Sequence, residues 1–183
     1  MSLLESAGFK PGKNIIQLLA TDKNSLPYTL TWSYRMRKPA NDANAPVKIT
    51  ASLNAEQAKE GDSIQLKTRV ENVSGNDQGM AVAVIGLPGG LALPDDLSQL
   101  KALAQPLEAG AKAGKIDAWE LRGRELILYW RGLPAGAKVE IELDLVCRLP
   151  GTFRGPASLA YLYYDPDRKF WLDPLAIRVF AAD

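Results

Sequence analysis

The chain has 183 residues, 46% of them apolar, enough for one sizeable core and something extra. Its 22 Lys and Arg stand against 21 Asp and Glu, and a net charge of +1 supplies no field that would draw it to nucleic acid or an anionic membrane. The absence of histidine removes the usual general base and the commonest metal ligand, and a single cysteine, Cys147, rules out an internal disulfide.

No apolar run reaches the roughly 18 residues of a membrane span, and the opening lacks the basic stretch and apolar core of a signal peptide. The abrupt entry after Met1-Ser2-Leu3 reads as a segment of a longer protein, so a missing signal says nothing about where the parent resides. Residues 14–19 and 28–36 read as two strands joined by a turn at Asp22-Lys23-Asn24-Ser25. In the second, Tyr28, Leu30, Trp32, Tyr34 and Met36 share one face, which a lone hairpin leaves uncovered. Residues 1–38 are therefore read as an incomplete β-hairpin segment, and the polar, proline-bounded residues 39–46 as a linker.

Residues 47–183 predict a mainly β domain, an antiparallel β-sandwich with one short inserted α-helix. Residues 47–53 and 64–70 alternate apolar and polar, giving strands with one wet face. Residues 80–85 are uninterruptedly apolar, a strand covered on both sides. The helix is expected over residues 94–105, from the start signal Pro94-Asp95-Asp96 to the stop at Pro106. Its stripe of Leu93, Leu97, Leu100, Leu103 and Ala104 is expected to lie across the sandwich and cover residues 80–85. Residues 107–115 read as a mobile loop, followed by strands over 116–121, 125–131 and 138–147, the last placing Cys147 inward as a small core hydrophobe. The chain then closes on an expected hairpin over residues 156–180. One strand runs over 158–164, the turn falls at Asp165-Pro166-Asp167-Arg168, and the return strand carries Leu175, Ile177 and Val179, with the pair in the middle of a sheet.

Chemistry-bearing patterns are few, and the sequence points away from an enzyme. Leu87-Pro88-Gly89-Gly90 lacks the Lys-Ser/Thr of a phosphate loop, and no resident cofactor or metal is expected. Asp165, Asp167 and Asp173 form an oxygen-rich turn that can hold Ca²⁺, but Asp165 and Asp167 are equally what a proline turn prefers. Trp119, Tyr129, Trp130, Tyr163, Tyr164 and Trp171 would suit a sugar-stacking strip if coplanar and exposed, and a core otherwise. Asn72-Val73-Ser74 matches a glycosylation sequon, a motif short enough to arise by chance.

The order of elements resembles a known family. A short helix over residues 94–105 follows Gly89-Gly90-Leu91, a strand pair spans 116–121 and 126–130, and Pro156-Ala157 precedes Tyr161-Leu162-Tyr163-Tyr164, which runs into an acidic turn. From Ala45 to Phe180 this resembles the C-terminal, receptor-binding-type domain of the alpha-2-macroglobulin and complement thioester proteins. Residues 1–38 are similar to the closing strands of the CUB-like domain that precedes it there. The resemblance implies a macroglobulin- or immunoglobulin-like sandwich, the non-catalytic terminal module of a bacterial, periplasmic or extracellular protease-trapping parent. Its implied partners are the thioester and other domains of that parent, with target proteases reached through the parent. The Cys-Gly-Glu-Gln thioester motif is absent, since Cys147 sits in Val146-Cys147-Arg148-Leu149. The surface expected to meet and shield a thioester domain comprises Tyr163, Tyr164, Asp165, Phe170 and Trp171. On the helix, Lys101 stands at one of two lysine positions used for receptor recognition in animal members, and Leu97 occupies the other. An extracellular stalk or adhesin sandwich, suggested by Gly61-Asp62-Ser63-Ile64 and Glu71-Asn72-Val73-Ser74-Gly75, and a carbohydrate-binding module remain as alternatives.

Overall fold

The computed structural model describes Ile15, Thr29, residues 38–105 and residues 114–182. Of its two units, the second, Met36–Asp183, holds all of these but Ile15 and Thr29. The expected hairpin over residues 14–36 and nearly all of the expected loop over 107–115 lie outside the described residues.

Two antiparallel sheets form the sandwich. The first has four strands in the order β1 (Val47–Leu53), β3 (Ser63–Asn72), β8 (Lys138–Cys147), β5 (Leu91–Ala92). The second has five, in the order β11 (Asp165–Leu172), β10 (Ser158–Leu162), β4 (Gln78–Gly86), β7 (Glu125–Leu133), β6 (Ala118–Arg122). A third, small sheet joins β2 (Gln57–Lys59), β12 (Ala176–Phe180) and β9 (Gly151–Arg154), with β12 parallel to β2.

The alternating strands do what their period requires. Ile49 of β1, Leu66 and Val70 of β3, and Ile141, Leu143 and Leu145 of β8 enter the shared core. Their polar neighbours form a wet outer ladder in which Lys67 Nζ lies 3.3 Å from a Glu142 carboxylate oxygen. β4 is covered on both faces, as its apolar run predicts. Ala81, Ala83 and Ile85 enter the main core, while Val82 and Val84 join Ile127 and Leu159 in a second cluster flanked by Tyr129, Tyr161 and Trp171.

The helix α1 (Ser98–Ala104) is shorter than expected and does not cover β4. Leu97 precedes it in the left-handed region at φ 52°, and Ser98 N–H and Oγ both donate to Asp96 Oδ1 at 3.1 Å. Leu100 is fully buried in the main core, with Leu97, Leu103 and Ala104 packed against it. The Gln99 side-chain amide accepts from Asp144 N at 2.8 Å and donates to Asp144 O at 3.1 Å, imitating a strand residue at the edge of β8. The helix thus stands at one side of the sandwich, bonded to the edge of β8 in the first sheet and touching β6 in the second. β4's outer face is covered by aromatic residues of its own sheet.

The expected hairpin over residues 156–180 also needs correction. Leu162 pairs with Asp165, so the turn is Tyr163-Tyr164, and Asp165-Pro166-Asp167-Arg168 opens strand β11. The run Phe170-Trp171-Leu172 explains the shift: extended backbone buries Phe170 and Leu172 against the main core and lays Trp171 on the second cluster. Pro166 is tolerated because β11 is an edge strand. Residues 176–180 leave for the third sheet, so β10 and β11 stand at one end of the five-stranded sheet, not in its middle. Where the chain enters β10, its backbone crosses β4 in contact. A Cβ added at Gly86 would lie 2.0 Å from Pro156 O.

Candidate functional site at the hairpin tip

The tip is made by the two turn tyrosines. Tyr163 is 53% exposed and Tyr164 80%, the two rings meeting edge to face with centroids 5.2 Å apart. Tyr163 N–H donates to Met80 O at 2.8 Å, tying the turn to β4. Asp165 is ion-paired with Arg168 beside it, and this pairing raises the guanidinium pKa. Two large aromatic rings freely offered beside a rigid strand pair suit insertion into an apolar recess of a partner.

The other two residues expected on that surface lie elsewhere. Phe170 faces the main core, with Lys48 Nζ 5.7 Å from its ring centroid. Trp171, on the opposite face of β11, packs on the second cluster, and its N–H donates to Asn41 Oδ1 at 2.6 Å. At about 3.3 Å per residue, Trp171 stands on the order of 20 Å along β11 from Asp165. The structure therefore brings Tyr163, Tyr164 and Asp165 together and leaves Phe170 and Trp171 as packing residues. Lys101 is exposed on α1, its ammonium donating to Asp96 O at 3.0 Å, while Leu97 packs on the core.

The remaining candidates resolve into structural roles. Asp173 pairs with Lys38 at 3.3 Å, and among the described residues no three acidic or thiol groups converge as a metal site would require. The six aromatics do not form one strip. Trp130 is buried and donates its indole N–H to Lys115 O at 2.8 Å, Trp119 packs on the main core, and Tyr129 and Trp171 pack on the second cluster. Burial pushes the Tyr129 and Tyr161 hydroxyl pKa values up, and Tyr129 OH donates to Glu120 at 3.0 Å. Cys147 is buried, and desolvation raises its thiol pKa.

Asn72, the sequon asparagine, is 0% exposed and works as a hub. Its Nδ2 donates to the carbonyls of Asn76 at 2.9 Å, Leu133 at 2.8 Å and Pro134 at 3.0 Å, and its Oδ1 accepts from Ser74 N and Oγ. The nitrogen a glycan would need is thus consumed in joining the β3 end to the β7–β8 turn. Arg124 plays a similar part that the sequence did not signal. Its half-buried guanidinium, with its pKa lowered by desolvation, donates to the carbonyls of Leu87, Pro88 and Leu91 and fixes the loop before β5. The partners that reveal either role are distant in sequence, Leu133 and Pro134 for Asn72 and Leu87, Pro88 and Leu91 for Arg124.

No protein-family model matches the chain, and no curated protein matches it. Solved structures do. The fold matches trypsin-activated alpha-2-macroglobulin from Escherichia coli with a TM-score of 0.56 at 17% identity, over 78% of this chain and 11% of that one. It matches Salmonella alpha-2-macroglobulin reacted with methylamine with a TM-score of 0.56 at 16% identity, over 78% and 10%. A native E. coli structure limited to the residues from domain MG7 to the C-terminus matches with a TM-score of 0.55 at 16% identity, over 78% of this chain and 24% of that one. The sandwich described above is therefore a fold found in the C-terminal region of bacterial alpha-2-macroglobulins, and this chain spans about a tenth of the first two of those chains and about a quarter of the third.

Proposed function

We propose that this chain is the non-catalytic terminal module of an alpha-2-macroglobulin-like protein. Its Tyr163-Tyr164 tip packs against a neighbouring domain of the parent, a thioester domain where the parent carries one, and helps to shield it. The observation that carries the reading is the fold shared with the MG7-to-C-terminus region, together with two exposed aromatic rings on the turn after Tyr161-Leu162. The parent would be periplasmic or extracellular and would meet proteases through its other domains. A buried Cys147 with a raised thiol pKa suits a module that leaves covalent chemistry to another domain.

The test uses the native polypeptide in its source, with and without methylamine before a denaturing gel. A very large protein that incorporates labelled amine is expected. A free-standing band near the 19.9 kDa of this chain would refute the module reading. A large band that takes up no amine would refute the thioester and leave a stalk or a thioester-free relative. In a parent that takes up amine, replacing Tyr163 and Tyr164 by alanine is expected to shorten thioester lifetime. An unchanged lifetime would remove the shielding role.

A further inference from the structure

The two main sheets have four edges, and among the described residues three of them are occupied or lie against neighbouring strands. At β11, Asp42 N–H donates to Lys169 O at 3.0 Å and Asn41 Oδ1 takes the Trp171 N–H, so the linker stands in for a missing strand. At β8, the edge is occupied by β5 at Val146 and Cys147, by the Gln99 amide at Asp144 and by Lys115 Nζ, 3.4 Å from Glu140 O. β1, the other edge of the first sheet, lies against β10 and β11. The fourth, at β6, is approached by α1, yet among the described residues no group bonds to the outward N–H and C=O of Trp119 and Leu121. The two-residue turn Gly123-Arg124 makes Arg122 and Glu125 the pair that exchanges backbone bonds, so Glu120 and Arg122 bond inward to β7. The N–H and C=O groups of Trp119 and Leu121 consequently point away from the sheet. An open edge of this kind is a template for another strand.

The side chains on β6 say which strand fits. Leu121 is 41% exposed on the core side of the sheet, opposite Leu126. On the outer side Glu120 and Arg122 are exposed and lie 3.3 Å apart. The geometry points to a second copy of this chain: β6 pairs antiparallel with β6 across a two-fold axis through Leu121, joining two five-stranded sheets into one of ten strands. In that register the two Leu121 residues exchange both backbone bonds and touch through their side chains. Glu120 of each copy then faces Arg122 of the other, twice per interface. A slip that centres Glu120 or Arg122 on the axis sets like charges face to face, and one that centres Trp119 leaves Glu120 opposite Ala118 without a charge partner, so the charge pattern favours the Leu121 register.

The contact is short, and the expected association is weak, in the range of about 10 µM to 1 mM. Sedimentation velocity of the 183-residue chain across that range should show a concentration-dependent dimer. Glu120→Arg and Arg122→Glu alone should each weaken it about tenfold, and the two together should restore it, because the swap recreates opposite charges across the axis. Circular dichroism and urea midpoints identify any variant that simply fails to fold, and Leu121→Lys then gives a second loss of dimer without touching the charge pair. A monomer throughout the range would overturn the proposal. So would a dimer that ignores the single charge reversals, or one that the double swap does not restore.

Discussion

Asn72 shows how one side chain can matter more to this sandwich than its sequence context suggests. Replacing it with Leu takes from the Leu133 carbonyl, in the buried interior, and from the Ser74 N–H the bonds that Asn72 gives them, while the Pro134 carbonyl keeps the Ala137 N–H. At about 1–3 kcal/mol for each buried group left unpaired, Asn72→Leu is expected to lower stability by about 3 kcal/mol, read as a shift in urea midpoint at unchanged slope. Thr68 presents the opposite case. It is 3% exposed among Ile141 and Ala51, and its hydroxyl has no hydrogen-bond partner. Thr68→Val removes a desolvated hydroxyl at nearly constant volume and should raise stability by about 1 kcal/mol in the same assay. Neither effect was legible in the sequence. Asn72 reads there as a sequon and Thr68 as the next residue in an alternating strand, because both depend on what lies opposite in the assembled sandwich.

At the scale of the element, α1 is held at its start by a carboxylate. Hydrogen bonds from the Ser98 backbone and hydroxyl, with a smaller contribution from Lys101, keep the Asp96 carboxyl below its ordinary value of 3.8. Because the folded-state value is the lower one, this contribution is complete above the unfolded value and is lost as pH falls through the folded one. The stability difference between wild type and Asp96→Asn should therefore shrink toward zero as urea titrations move from about pH 6 to pH 3. The crossing of β4 by the chain entering β10 gives a harsher test. Gly86→Ala drives a methyl into the Pro156 carbonyl, with no flexible side chain to yield, and a loss of about 3 kcal/mol or failure to fold is expected from expression and thermal unfolding. Strands were legible where one face is wet: β1, β3 and β8 follow directly from alternation. The helix was legible as a helix but not in its location, since the Gln99 contact with Asp144 spans 45 residues. The hairpin turn was misplaced because Asp-Pro-Asp-Arg has strong turn chemistry, and the burial of Phe170 and Leu172 outweighs it.

For the molecule as a whole, the candidate site separates into side chains that the domain needs and side chains that it offers. Tyr163→Ser and Tyr164→Ser remove rings that are mostly exposed, and the domain's urea midpoint should move by no more than about 0.5 kcal/mol equivalent. Phe170→Ala takes a ring out of contact with the core and should cost about 3 kcal/mol. That contrast distinguishes rings left free by the fold from rings that the fold needs. The sequence supplied the aromatic cluster and its acidic neighbour, but only the turn position shows which rings leave the domain.

The pairing of β12 with β2 carries a consequence for biogenesis. Arg178, Val179 and Phe180 lie alongside Gln57, Ala58 and Lys59, with Glu60 N–H donating to Phe180 O and Arg178 N–H to Glu56 O. A ribosome making this domain emits β2 early, and β2 then waits for almost the entire sandwich to be synthesised before its partner exists. Native contacts this distant along the chain make folding slow, and a nascent chain that stalls before residue 177 displays the apolar cavity that Ile177 and Val179 will fill. Such stalled intermediates would suit a holdase chaperone during synthesis.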